Sequence, residues 1–93
     1  NNMIRINAAA IKIAPSKYRK ECKVRVGIDE TQDILAIQPV EKGGYVIRDE
    51  KSGALRLISR QIGDHLRKAG ISLPAKFDAS WDEDMQAWIG RLI

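Results

Sequence analysis

Two stretches of this chain, residues 3–40 and 54–93, run through the same succession of local patterns, and no other feature of the sequence restricts the fold as much. In the first, "MIRIN" (residues 3–7) alternates, with Ile4 and Ile6 on one face and Arg5 on the other. Asn7 suits a helix cap, because its side-chain carbonyl can accept from a free N–H of the first turn. "AAAIKIA" (8–14) then reads as a short helix stopped by Pro15, since the residue before a proline is biased out of the helical region. After the basic connection "SKYRKECK", the stretch "KVRVGID" (23–29) alternates with Val24, Val26 and Ile28 together. "DETQD" is an acidic turn, and "ILAIQPV" (34–40) is the returning strand of a hairpin.

The second stretch repeats the order. "LRLIS" (55–59) is a strand, with Leu55 and Leu57 together and Arg56 opposite, and Ser59 stands where Asn7 stood. "RQIGDHLRKA" (60–69) is a helix carrying Ile62, Leu66 and Ala69 on one stripe. Gly70 suits the left-handed residue that ends many helices, and Ile71 closes over it. "KFDASWD" (76–82) aligns Phe77, Ala79 and Trp81, "DED" turns, and "QAWIGRLI" returns. The offset between the stretches is about 52 residues, and the best columns are Ile6-Asn7 over Ile58-Ser59 and Ile28-Asp29-Glu30 over Trp81-Asp82-Glu83. An internal βαββ duplication explains this order; chance is the competing explanation, because alternation and acidic turns are common patterns.

Between the halves, residues 41–53 supply a further hairpin: Gly43-Gly44 turns, 45–48 is a strand, and Lys51-Ser52-Gly53 turns it back into 54–58. Every helix is short, so the sheet must supply most of the core. The 93 residues suit one domain. The expected fold is therefore α+β and mostly antiparallel β, with pseudo-repeats 3–40 and 54–93 closing into a small barrel.

The net charge is +4, a mild excess whose placement matters more than its size. Six of the twelve acids fall in two clusters: Asp29, Glu30 and Asp33, then Asp82, Glu83 and Asp84. Lys17, Arg19, Lys20, Lys23 and Arg25 form one basic stretch, and Arg56, Arg60, Arg67 and Lys68 another. Occupying related positions in a duplicated barrel, the two stretches would line one face opposite the acidic turns. Cations converging on one surface are what phosphate binding requires; a solvated surface that keeps a small protein soluble is the plainer alternative.

Other chemistry finds little footing. His65 is the one histidine and Cys22 the one cysteine, which supports neither a zinc site of the usual N/S type nor an internal disulfide. Basic neighbours would lower the pKa of Cys22 if close in space, but a quiet buried thiol is the commoner outcome. The Asp82–Asp84 turn lacks calcium-loop spacing. No phosphate-binding glycine loop, nucleophile elbow or supported carboxylate pair is visible, so neither an enzyme nor a cofactor is expected. Trp81 reads as core, and Trp88 as either core or an anchor for a partner. No apolar run reaches membrane-span length, and no signal peptide is visible. A cytoplasmic setting is expected, with Met3 as the native start and Asn1 and Asn2 as an added remnant.

"LRKAGI" (66–71) and the hairpin "FDASWDEDMQAWIG" after it resemble the AbrB/MazE/MraZ-type swapped-hairpin domain, whose unit is a strand, a capped short helix ending L-R-x-x-L-G-I, and a hairpin. The first half resembles it less: residues 8–14 lack the arginine and glycine of that helix end, and the linker after them is longer. The resemblance implies two interleaved βαββ units in one barrel, here from one chain. It also implies a bacterial or phage DNA-binding transcription regulator or antitoxin-like protein, using basic residues around the helix and its flanks. Arg56 and Arg60, which flank the Ser59 junction, are then the residues expected in a groove of double-stranded DNA. A protein-interaction or structural module with no nucleic-acid role is the alternative, and a homodimer is compatible with either.

Overall fold

The computed structural model describes residues 2–29 and 34–92. Glu30 and Asp33, two of the three acids of the first acidic turn, lie outside the described residues. The chain runs β1 (Met3–Ile6), α1 (Ala8–Ile13), a 3-10 turn (Ser16–Tyr18), β2 (Cys22–Asp29), β3 (Ile34–Val40), β4 (Tyr45–Asp49), β5 (Leu55–Ile58), α2 (Arg60–Lys68), β6 (Ala75–Asp82) and β7 (Ala87–Leu92). The strands close into a barrel in the order β1-β5-β4-β2-β3-β7-β6. All pairings are antiparallel except β1 with β6, where Ile4 lies beside Ala75 and Ile6 beside Phe77.

Alternation decides which side chains fill the barrel. Ile4 and Ile6, Leu55 and Leu57, Phe77 and Trp81 point inward, while Arg5, Arg56, Lys76 and Asp78 point out. Val24 is fully buried, but Val26 and Ile28 further along β2 are only half-buried. On α2, Ile62 and Leu66 are buried as their spacing requires; Ala69 is exposed, because it is the C-cap. Gly70 takes φ +86° and the Ile71 N–H reaches back to the Leu66 carbonyl at 2.9 Å, the left-handed helix ending expected from the sequence. Both N-caps form: Asn7 Oδ1 accepts from Ala10 N at 2.9 Å, and Ser59 Oγ from Ile62 N at 3.3 Å.

Helix α1 is so short that most of its carbonyls lack intrahelical donors, and groups outside it supply several. Trp88 Nε1 donates to Ala10 O at 3.3 Å. Ala14 N donates to Ile11 O at 3.1 Å. Arg19 closes the end, with Nη2 donating to Lys12 O at 2.7 Å and Nε to Ala14 O at 3.2 Å.

Candidate nucleic-acid interface

The candidate interface lies on the outer wall of the barrel, and cross-strand register builds it. Arg56 on β5 stands opposite Arg5 on β1 and opposite Arg48 on β4. Arg5 in turn stands beside Lys76 on β6. Four cations thus form one row across four adjacent strands. Like charges at directly opposed positions repel, so the row costs the fold some stability. Acids at its margins offset part of this: Glu50 Oε2 lies 3.0 Å from Arg5 Nε, and Glu21 pairs with Arg48. Asp49 is held in place by accepting from the Glu21 backbone N–H at 3.2 Å. Arg56 and Lys76 are exposed and make no ion pair with the described residues.

The row is bordered by apolar surface. Ile58 stands two residues from Arg56 on the same face of β5 and is 61% exposed, and Val46 on β4 is 40% exposed. Lys23 on β2 is opposite Val46, so its stem extends this strip and its charge limits it.

Of the nine cations read from the sequence, Arg56 alone belongs to the row; the others are dispersed. Arg19 is occupied with the end of α1. Lys17 lies over the Tyr18 ring, 5.0 Å from its centroid. Arg25 Nε donates to Gln38 Oε1 at 2.6 Å, and Gln38 Nε2 to Met85 O at 2.7 Å, which ties β2 and β3 to the turn after β6. Arg67 pairs with Asp64 at 3.3 Å. Lys20, Lys23, Arg60 and Lys68 are exposed, Lys20 ahead of β2, Lys23 on β2, and Arg60 and Lys68 at opposite ends of α2. The separation of basic stretches from acidic turns is also not what the fold produces. Tyr18 packs on Trp81 with centroids 5.9 Å apart, and Trp81 Nε1 donates to Glu83 Oε2 at 3.0 Å, so the first basic stretch adjoins the second acidic turn.

Arg5, Arg48 and Lys76 escaped the sequence reading. Each is a lone cation at an outward strand position, and only the pairing of strands far apart in sequence aligns them with Arg56. The remaining candidates resolve simply. Trp88 is fully buried, so it is core and not a surface anchor. Cys22 is half-buried, and burial pushes its thiol up to about 11, which makes it inert rather than activated. Among the described residues, no three His, Cys, Asp or Glu side chains are grouped to hold a metal ion, and no helix is long and apolar enough to cross a membrane. The chain matches no model of a known protein family, no curated protein and no solved structure.

Proposed function

We propose that this chain is a non-enzymatic binder of double-stranded DNA, of the transcription-regulator or antitoxin-like kind. We read its barrel as two βαββ repeats in the swapped-hairpin arrangement of the AbrB/MazE/MraZ type. Register supports the repeat. The hairpin pair Asp29↔Ile34 maps onto Asp82↔Ala87 by a shift of 53 residues (29 to 82, 34 to 87). Corresponding strands pair around a pseudo-twofold axis: Met3↔Ile58 maps onto Leu55↔Ile6 by a shift of 52 (3 to 55, and 58 back to 6). The swap is supported by α1, which rests on Trp88 in the hairpin of the other half. Strand β4 occupies the place where symmetry would pair β5 with β2.

The observation that carries the DNA reading is the row Lys76, Arg5, Arg56 and Arg48. Three inter-strand steps span about 14 Å, wide enough to reach phosphates on both sides of a groove roughly 12 Å across. Its members come from four strands of a closed barrel, so the cations are held in place before DNA arrives. Binding through backbone phosphate gives affinity before it gives sequence preference.

Anisotropy of a labelled random-sequence duplex, titrated at 50 and 200 mM salt, tests this. Two to four phosphate contacts weaken binding roughly 10- to 150-fold between those concentrations. Arg56→Glu abolishes binding at the higher salt while the circular dichroism spectrum is unchanged. No binding at 50 mM salt, or equal binding by Arg56→Glu, overturns the reading. The protein-interaction alternative draws on exposed Ile58 and Val46 and instead predicts a stable assembly that Ile58→Ser disperses, with DNA irrelevant.

A further inference from the structure

The two hairpins of the barrel have the same register but opposite packing. Trp81 faces Trp88 across β6 and β7, one pair in from the turn; Ile28 faces Leu35 at the corresponding pair of β2 and β3. At the tryptophan end the space under the helix is full. The two indoles meet edge to face with centroids 5.1 Å apart, Tyr18 packs on Trp81, and α1 closes over Trp88. At the other end, Ile28 and Leu35 line a cavity of about 730 Å³ beneath the last turn of α2. The cavity is open to solvent on one side, so the aromatic contacts that fill the tryptophan end have no counterpart at this one.

The shape and lining point to a ligand. The volume lies in the range of small-molecule sites, roughly 300–1,000 Å³. Its accessible apolar lining is aliphatic, from the half-buried Ile28, Ile34, Ile71 and Leu92, while Leu35 and Leu66 are fully buried. The rim carries Lys68 from α2 and Arg91 from β7, together with His65 and Asp29. Neither Lys68 nor Arg91 is ion-paired with the described residues, and among the described residues of the lining two full cations stand against one carboxylate, which favours an anionic group. At the opposite end the equivalent strand pair and helix hold an indole. We propose that this cavity is a binding site for a small planar aromatic acid, its ring lying against Ile28, Ile71 and Leu92 and its carboxylate held by Lys68 and Arg91. The proposal goes beyond DNA binding and does not depend on it.

Isothermal titration with 1-naphthylacetate, its neutral amide and the non-aromatic cyclohexylacetate tests it. The intact protein binds the aromatic acid about ten-fold more tightly than the amide, the worth of one charge-assisted hydrogen bond. It binds cyclohexylacetate more weakly than naphthylacetate. Leu35→Trp, which places an indole where Trp88 stands at the other end, abolishes binding in the folded protein. The surface pair Lys68→Ala with Arg91→Ala leaves the core untouched and removes the preference for acid over amide, which keeps the test decisive if Leu35→Trp misfolds. DNA affinity of Leu35→Trp stays that of the parent, so this site and the Arg56 row succeed or fail separately. Absence of naphthylacetate binding, or binding that a folded Leu35→Trp retains, overturns the proposal.

Discussion

Trp88 lies directly across the β6–β7 hairpin from Trp81 and donates its indole N–H to the Ala10 carbonyl, so one side chain fills the barrel and finishes a helix 78 residues away in sequence. Replacing it removes both functions. Trp88→Ala destabilises the fold by about 3–5 kcal/mol, the usual cost of emptying a large aromatic core position. A domain of this size has roughly 5–15 kcal/mol in total, so the variant is close to unfolding at 37 °C. Trp88→Phe keeps most of the packing but leaves the Ala10 carbonyl without its donor, at about 1–3 kcal/mol. Urea denaturation of the two variants separates the terms.

Arg19 has a comparable task at the far end of the same helix. Its Nη2 and Nε reach two different carbonyls, Lys12 O and Ala14 O, and only a planar fork can do both. Arg19→Ala therefore lowers stability by about 1–2 kcal/mol. Arg19→Lys recovers less than half of that loss, because a single ammonium cannot hold both carbonyls in the same geometry. DNA affinity changes little for either variant, in contrast to Arg56→Glu. Equal losses of DNA affinity at Arg19 and Arg56 would return Arg19 to the interface.

How far the sequence could be read follows from the range of the interactions involved. Local signals were legible: the Asn7 and Ser59 caps, the Gly70 stop and the inward faces of Leu55–Leu57 and Phe77–Trp81 all depend on neighbours a few residues away. The closed barrel was legible in outline, because helices this short leave the strands to bury the core. What alternation cannot convey is which strands meet. β1 pairs with β5 and β6, partners about 50 to 70 residues distant, and the cation row exists only through that pairing. For the same reason Arg19 and Arg25 read as surface charge although their partners lie on other elements or across a hairpin. The contrast between the tryptophan end and the cavity end also needed register, since Ile28 and Leu35 look like ordinary core residues on their own.

Cys22 gives a pH-dependent test. Its thiol is pushed from 9.0 to about 11 by burial in the folded protein. At pH 8 the thiolate is then about 100-fold scarcer than in the unfolded chain, two pKa units being a factor of 100. Labelling by a disulfide reagent is slower in the native protein by about that factor and becomes fast in urea. For an acid whose folded pKa is raised, the unfolded state loses its proton first. Stability is therefore insensitive to this group below about pH 9 and falls as pH rises from 9 towards 11. Cys22→Ser removes that component of the alkaline loss, which thermal melts at pH 8 and pH 10 would reveal.

Arg56 should carry opposite consequences for stability and for binding. It stands between Arg5 and Arg48 and makes no ion pair with the described residues, so the folded state bears two directly opposed like-charge pairs. Such pairs cost a fraction of a kcal/mol each at low salt. Arg56→Gln therefore stabilises the barrel by about 0.3–1 kcal/mol at low ionic strength. The gain shrinks at 1 M salt, where the screening length falls to about 3 Å. The same substitution lowers the salt dependence of DNA binding by about one phosphate contact. Denaturation at two salt concentrations and duplex titration on the same preparation measure both. A more stable barrel together with a weaker salt dependence of duplex binding is the outcome that the proposed DNA contact requires; if Arg56→Gln destabilises the barrel, Arg56 is a packing residue and the row loses its central member.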